Sequence, residues 1–310
     1  MKDHWEVGVV LSFSDAQWLK ENQGAALPGL NIAMDGNAES KLGDSVYQDG
    51  ERFFLLEIKP DQSFCRDEWS GNKGSKRAYK KLMNLASLDE TTPNDPALIE
   101  YLCLSVRGHF FGFWTEILPH QDHLDQLLLQ PYLLTALADF PAKHPQVPPG
   151  HCYSGRPSST HVDNLRANYH VGTYQHPTFS PRWPLSIADV LVNQSSKASF
   201  CINPGLASVP TNAVLPLGLE LQELQKYVNF LCRESIADGC QQDSMEEDLK
   251  MILLGSNGFI RHITSTRLLL KVVEEYLNGR LLSTPGRRHK DFSGLPFEVK
   301  PKPKPSAGPK

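Results

Sequence analysis

"GDSVYQDGERFFLLEIK", residues 43–59, decides the fold. Two strand-like runs flank Asp49-Gly50, the pair that a two-residue hairpin turn prefers. The second run, Phe53 to Ile58, is apolar on both of its alternating faces, which predicts a strand internal to a sheet. Yet Glu57 and Lys59 stand at its end, and charged side chains are rarely buried without a partner.

With Asp49 and Gly50 as the turn residues, Gln48 pairs with Glu51, Asp44 opposes Leu55 and Leu42 opposes Glu57. Side chains alternate along a strand, so Asp44, Val46, Glu57 and Lys59 share one face, with Tyr47, Phe54, Leu56 and Ile58 on the other. Asp44 then lies diagonally from Glu57, about 7–8 Å away between backbones. One metal ion, at oxygen distances of about 2.0–2.6 Å, can bridge that gap. A register shift of one residue would send Asp44 to the opposite face. Two acids and a lysine at the end of an internal strand are costly unless they bind something, and a divalent metal with a phosphate fits them.

The segment "GDSVYQDGERFFLLEIK" resembles the core of the PD-(D/E)xK nuclease superfamily, in which an Asp starts one strand of a hairpin and Glu-x-Lys ends the next. The resemblance spans residues 35 to 115 or so. It implies a restriction-endonuclease-like mixed α/β sheet flanked by helices. Carried over by position, Asp44 and Glu57 would hold Mg²⁺ or Mn²⁺. Lys59 would position or help to deprotonate the attacking water. A further acid often sits on the preceding helix, and Glu39 is the candidate, with Asp35 as second choice. The sequence departs from the pattern at Gly43, where the family pattern has Pro.

Phosphodiester hydrolysis suits these residue types. A bound metal neutralises developing charge and lowers the pKa of a water, carboxylates are the hard ligands Mg²⁺ takes, and a lysine adds positive charge where the transition state turns more negative. The expected activity is therefore metal-dependent endonucleolytic cleavage, of DNA ahead of RNA. The helix-period stretch after Glu-x-Lys, residues 72–86, places Lys73, Lys76, Arg77, Lys80, Lys81 and Asn84 on one arc at about 100° per residue. Lys76, Arg77 and Lys80 are the candidates for tracking nucleic-acid phosphates, against a plain solvated lysine face.

Composition narrows the rest. A chain of 310 residues that is 40% hydrophobic and 21% charged is an ordinary globular protein of one large or two modest domains. A net charge of -4 gives no global pull toward nucleic acid or membrane, so such contacts must be local. No apolar run approaches the roughly 18 residues of a membrane span. Six cysteines without a CxxC pair, and no secretory signal, lead us to expect reduced thiols and a cytoplasmic location.

Residues 6–13 read as a strand and 14–22 as a helix; 98–117 read as two strands broken at Arg107-Gly108, and 123–140 as a helix interrupted at Pro131. The expected domain plan is a nuclease-like unit over 1–140 and a Pro/Gly/Ser-rich linker or loop over 141–164. A mainly helical region over 165–286 and a basic, Pro-rich, disordered tail over 287–310 follow. That helical region could recruit a protein partner or a second copy, and a non-catalytic nuclease-fold assembly subunit is the alternative function. A zinc hydrolase built on His120, His123, His151, Cys152 and His161 is a third reading, but it lacks paired ligand spacing. "HFFGFW" (109–114) could stack bases, though core packing is the simpler expectation.

Overall fold

A computed structural model describes residues 9–10, 31–35, 37–49, 51–70, 76–116, 125–139, 157–191, 197–202, 214–232, 248–254 and 260–277. The expected strand and helix over 6–22 lie almost wholly outside these residues, as do most of 141–164 and all of 287–310.

The first elements are β1 (Asn31–Asp35), α1 (Asn37–Leu42), β2 (Ser45–Asp49) and β3 (Arg52–Asp61). A 3₁₀ turn (Gln62–Arg66) and the short α2 (Asp67–Ser70) lead to α3 (Arg77–Thr91), α4 (Pro96–Gly108), β4 (His109–Glu116), β5 (Asp125–Pro131) and α5 (Tyr132–Ala138). The second half holds α6 (Ser159–Asn168), β6 (Tyr169–Gln175), β7 (Thr178–Pro181), β8 (Leu185–Ser186), α7 (Ile187–Leu191), β9 (Lys197–Ile202), β10 (Val214–Pro216) and α8 (Leu221–Cys232). It closes with β11 (Asp248–Leu254), β12 (Ile260–Ser265) and α9 (Thr266–Leu277).

The fold is mixed α/β. An eight-stranded sheet runs β12-β11-β1-β2-β3-β4-β5-β8, and a four-stranded antiparallel sheet runs β10-β9-β6-β7. In the larger sheet β3 and β4 pair in parallel while the other described neighbours are antiparallel. Parallel neighbours need a long crossover, which α3 and α4 supply. Helix α4 lies against β3, β4 and β5 of the large sheet and against β6 and β9 of the small one, so it is sandwiched between them.

The β2–β3 hairpin forms, with a register two residues from the expected one. Tyr47 faces Phe54 and Asp49 faces Arg52, where the expected pairing set Gln48 against Glu51. The parity of the pairing is unchanged, and the same side chains share a face. Asp44 precedes β2 and leaves this ladder, its amide bonding the Leu56 carbonyl and its side chain the Ile58 amide. Strand β3 is internal as expected, with Phe53 to Ile58 all buried.

Three element assignments are corrected. Residues 96–108 are a helix, because Asp95 accepts the Ala97 amide at 2.9 Å and Pro96 starts the first turn. Residues 125–131 are a strand ending at Pro131, whose missing N–H suits the handover to α5. Residues 248–254 are a strand pairing with β1, so the described residues of 165–286 alternate strands with helices instead of being mainly helical.

Candidate nuclease site

The site lies where β2 has not yet begun and β3 is about to end. Gly43 adopts φ +96°, and a Cβ there would stand 2.8 Å from the Leu56 carbonyl oxygen. Glycine alone fits this left-handed position comfortably. Proline, fixed near φ −65°, cannot take it, which accounts for the departure from the Pro-Asp pattern. The tight turn delivers Asp44, whose amide donates to the Leu56 carbonyl at 2.7 Å and whose carbonyl accepts the Met34 amide at 2.8 Å. The carboxylate oxygen Oδ2 of Asp44 accepts the Ile58 amide at 2.5 Å, extending the ladder by a side chain.

Around this point the structure gathers six charged groups. Lys59 Nζ donates to Glu57 Oε1 at 2.7 Å and to Glu68 Oε1 at 2.9 Å, all three side chains being buried. Lys76 Nζ donates to Glu39 Oε1 at 2.9 Å and stands 3.6 Å from Glu57 Oε1 and 3.9 Å from Glu68 Oε1. Tyr132, stacked between His109 and Phe111, donates its hydroxyl to Glu68 Oε2 at 3.2 Å.

Glu68 is the member that sequence reasoning missed. The Asp61 carboxylate caps the 3₁₀ turn by accepting the Ser63 amide at 2.7 Å, and the chain then folds back so that α2 buries Glu68 and Trp69. Trp69 packs near Tyr79 and edge-on to Phe111, which fixes α2 against the sheet. The one available signal was a charged residue beside a large apolar one in "RDEWS", just past Glu-x-Lys.

Burial and a surplus of like charge govern the electrostatics. Burial pushes the Asp44 carboxyl up to about 6, although Lys59, the Ile58 amide and Lys76 draw it down. Burial, then the Asp44 and Glu68 carboxylates, hold Glu57 well above the usual carboxylate range. For Lys59 burial acts to lower the pKa, but Glu57 and Glu68 outweigh it and hold the ammonium above its ordinary value. Lys76 is raised in the same sense, by Glu57, Glu68 and Glu39 against its burial.

The predicted residues divide as follows. Asp44, Glu57, Lys59, Glu39 and Lys76 come together. Asp35 ends β1 opposite Lys250, with its side chain outside the described residues. Arg77 and Lys80 are partly exposed on α3, but Lys81 is buried, its ammonium 5.4 Å from the centre of the Phe230 ring, so the basic stripe is narrower than its helical wheel. Lys73 lies outside the described residues.

No family model matches the chain, and neither a curated protein nor a solved structure does.

Of the other candidate centres, His120, His123, His151 and Cys152 lie outside the described residues, while His161 Nε2 faces Asp89 Oδ2 at 3.2 Å. The "HFFGFW" strand is core: Phe110, Phe111 and Phe113 are fully buried. Burial pushes the His109 imidazole down to about 3, so it stays neutral where Nδ1 meets the Tyr227 hydroxyl at 3.2 Å.

A divalent cation needs several oxygen donors close together. Among the described residues no three His, Cys, Asp or Glu side chains are already drawn together as a metal cage. The donor chemistry fits all the same: Glu39, Asp44, Glu57 and Glu68 offer hard oxygens, and four carboxylates face two ammonium groups. Burial is the main reason that the Asp44 and Glu57 carboxyls are raised, and for Glu57 the neighbouring Asp44 and Glu68 carboxylates add to it.

Proposed function

We propose that the protein is a metal-dependent nuclease of the restriction-endonuclease-like type, hydrolysing phosphodiester bonds in nucleic acid, with DNA the expected substrate ahead of RNA. The observation that carries this reading is the convergence of Asp44, Glu57 and Lys59, with Glu39 on the preceding helix, at the end of an internal strand. That arrangement supports the resemblance of the hairpin sequence to the PD-(D/E)xK pattern.

Asp44 and Glu57 would hold Mg²⁺ or Mn²⁺, with Glu39 as auxiliary acid. Bound there, the ion would neutralise charge on the phosphate and acidify a water. Lys59 keeps its proton, because two carboxylates hold it in place. An ammonium cannot act as a base, so of the two roles expected from sequence the positioning one is favoured: it orients the attacking water and offsets charge on the phosphate. Arg77 and Lys80, partly exposed on the helix that follows, would meet the backbone of the nucleic acid.

The test is cleavage of labelled DNA and RNA by the full chain with Mg²⁺ or Mn²⁺. Cutting that requires the metal and disappears in both Glu57→Ala and Lys59→Ala is the expected result. The absence of any cutting by the wild-type chain, in either metal, would leave the nuclease fold as a scaffold for binding or assembly. The position of Lys76 among the carboxylates is the specific observation that favours this second reading.

A further inference from the structure

The two ammonium groups of the site differ in kind. The Lys59 side chain is 9% exposed and both its hydrogen bonds are inside the core. The Lys76 side chain is 29% exposed and grows from the N-cap position of α3, at the mouth of the cluster. Its backbone is anchored, since its amide donates to the Glu68 carbonyl at 2.9 Å. Its Nζ nevertheless reaches carboxylates from three separate elements, at 2.9 Å for Glu39, 3.6 Å for Glu57 and 3.9 Å for Glu68. A cation bound to such oxygens would occupy much the same place, and Glu57 Oε1 is already shared by both lysines.

We propose, resting on the metal-site part of the reading above, that Lys76 is a built-in cation of this pocket, which a divalent ion must displace from Glu57 and Glu39 before Asp44 and Glu57 can hold it. The physical case is one of occupancy and charge. Without Lys76 the four carboxylates would face Lys59 alone, an arrangement that burial makes costly. Held in place, the ammonium compensates them while no metal is bound. A divalent ion brings twice the charge to the same oxygens, and the lysine, on a flexible four-carbon stem near solvent, can swing out. The apparent affinity for the ion is then lower than that of the bare carboxylates, because each binding event includes a displacement.

The inference is tested by titrating Mn²⁺ into the full chain at pH 8 and measuring affinity by calorimetry for wild type, Lys76→Met, Lys76→Arg and the distant Lys271→Met. Lys76→Met is expected to bind Mn²⁺ at least about tenfold tighter. Lys76→Arg should bind no tighter than wild type, and Lys271→Met within about twofold of it. A second measurement needs no variant: amine-reactive labelling of Lys76, read by mass spectrometry, should rise when Mn²⁺ is added to the wild-type protein. Unchanged or weaker binding by Lys76→Met, equal tightening by Lys271→Met, no Mn²⁺ binding at all, or labelling of Lys76 that stays level or falls would each overturn the proposal. Cleavage plays no part in these readouts. A protein that binds Mn²⁺ in this manner yet cuts neither DNA nor RNA would retire the nuclease reading and leave the displacement intact.

Discussion

Strand β3 carries a charged cluster at each end, and the two clusters obey opposite rules. At its start, Arg52 and Arg107 meet Glu220 and Glu223, two cations to two anions. Arg107 is bidentate on Glu223 at 2.7 and 3.1 Å and also reaches the carbonyls of Pro216 and Gly218 at 3.4 Å. Glu223 accepts the Glu220 amide at 2.9 Å, capping α8. Burial works to raise the Glu223 carboxyl, yet Arg107 and that amide bring it below its ordinary value. At the far end four acids share two lysines, and the Asp44 and Glu57 carboxyls are both raised. Balanced charge with saturated hydrogen bonds builds a joint between α4, α8 and β3. At the far end Glu57 and Glu68 are more deeply buried than any acid of the first cluster, and perturbed groups of that sort concentrate at functional sites.

The largest expected effect separates the two ends by activity. Lys59→Met should reduce metal-dependent cleavage by about 10³-fold and destabilise the metal-free protein by about 3–5 kcal/mol, since Glu57 and Glu68 lose their buried partner. Saturating Mn²⁺ should restore part of that stability in thermal unfolding. Arg107→Met should cost about 2–3 kcal/mol for the Glu223 left behind, while cleavage per folded molecule stays at the wild-type level. Loss of cleavage in Arg107→Met would erase the distinction between joint and site.

Gly43→Ala should come next, at about 1–3 kcal/mol for a left-handed backbone against the Leu56 carbonyl. It should also weaken Mn²⁺ binding, because the turn aims Asp44. A pH comparison is smaller but sharper, since the signs oppose. The folded-state pKa of Asp44, about 6, lies above the ordinary 3.8, so the folded protein holds the extra proton between these values. Its contribution to stability therefore improves as pH falls from 7 through 6. Glu223 is shifted downward, so its contribution is present above pH 4.5 and fades as pH drops through the folded value. In urea unfolding, Asp44→Asn should exceed wild type at pH 7 with the gap closing by pH 4. Glu223→Gln should fall short at pH 7, and its deficit should close only under more acidic conditions. The smallest change is expected of Arg52→Ala, below about 1 kcal/mol, because its pairing to the exposed Glu220 is solvated.

Much of the site was legible because β parity is robust. The hairpin pairing is shifted by two residues from the expected one, which keeps Val46, Glu57 and Lys59 on one face, and the turn at Gly43 brings Asp44 to them. Glu68 was not legible, since its place depends on the chain reversing after Asp61 and on Trp69 finding Phe111, both tertiary events. The helix over 96–108 was hidden by β-branched and aromatic residues, although Asp95-Pro96 marked its start. The opposite error hid the strand over 248–254, where the acids before Leu249 imitate the first turn of a helix and only pairing with β1 decides the outcome.

That pairing gives the molecule a timetable. Strand β1 lies between β2, made early, and β11, made late, and its Met34 amide is bonded to the carbonyl of Asp44. At synthesis rates of about 5–20 residues per second, roughly 10–40 s pass between the emergence of Asp49 and that of Asp248. Through that interval β1 presents an open edge beside the turn that carries Asp44. The site proposed here is therefore backed by a complete sheet only after β11 has emerged, and a nascent chain halted before β11 would carry the acids of the site without the strand that closes the sheet behind them.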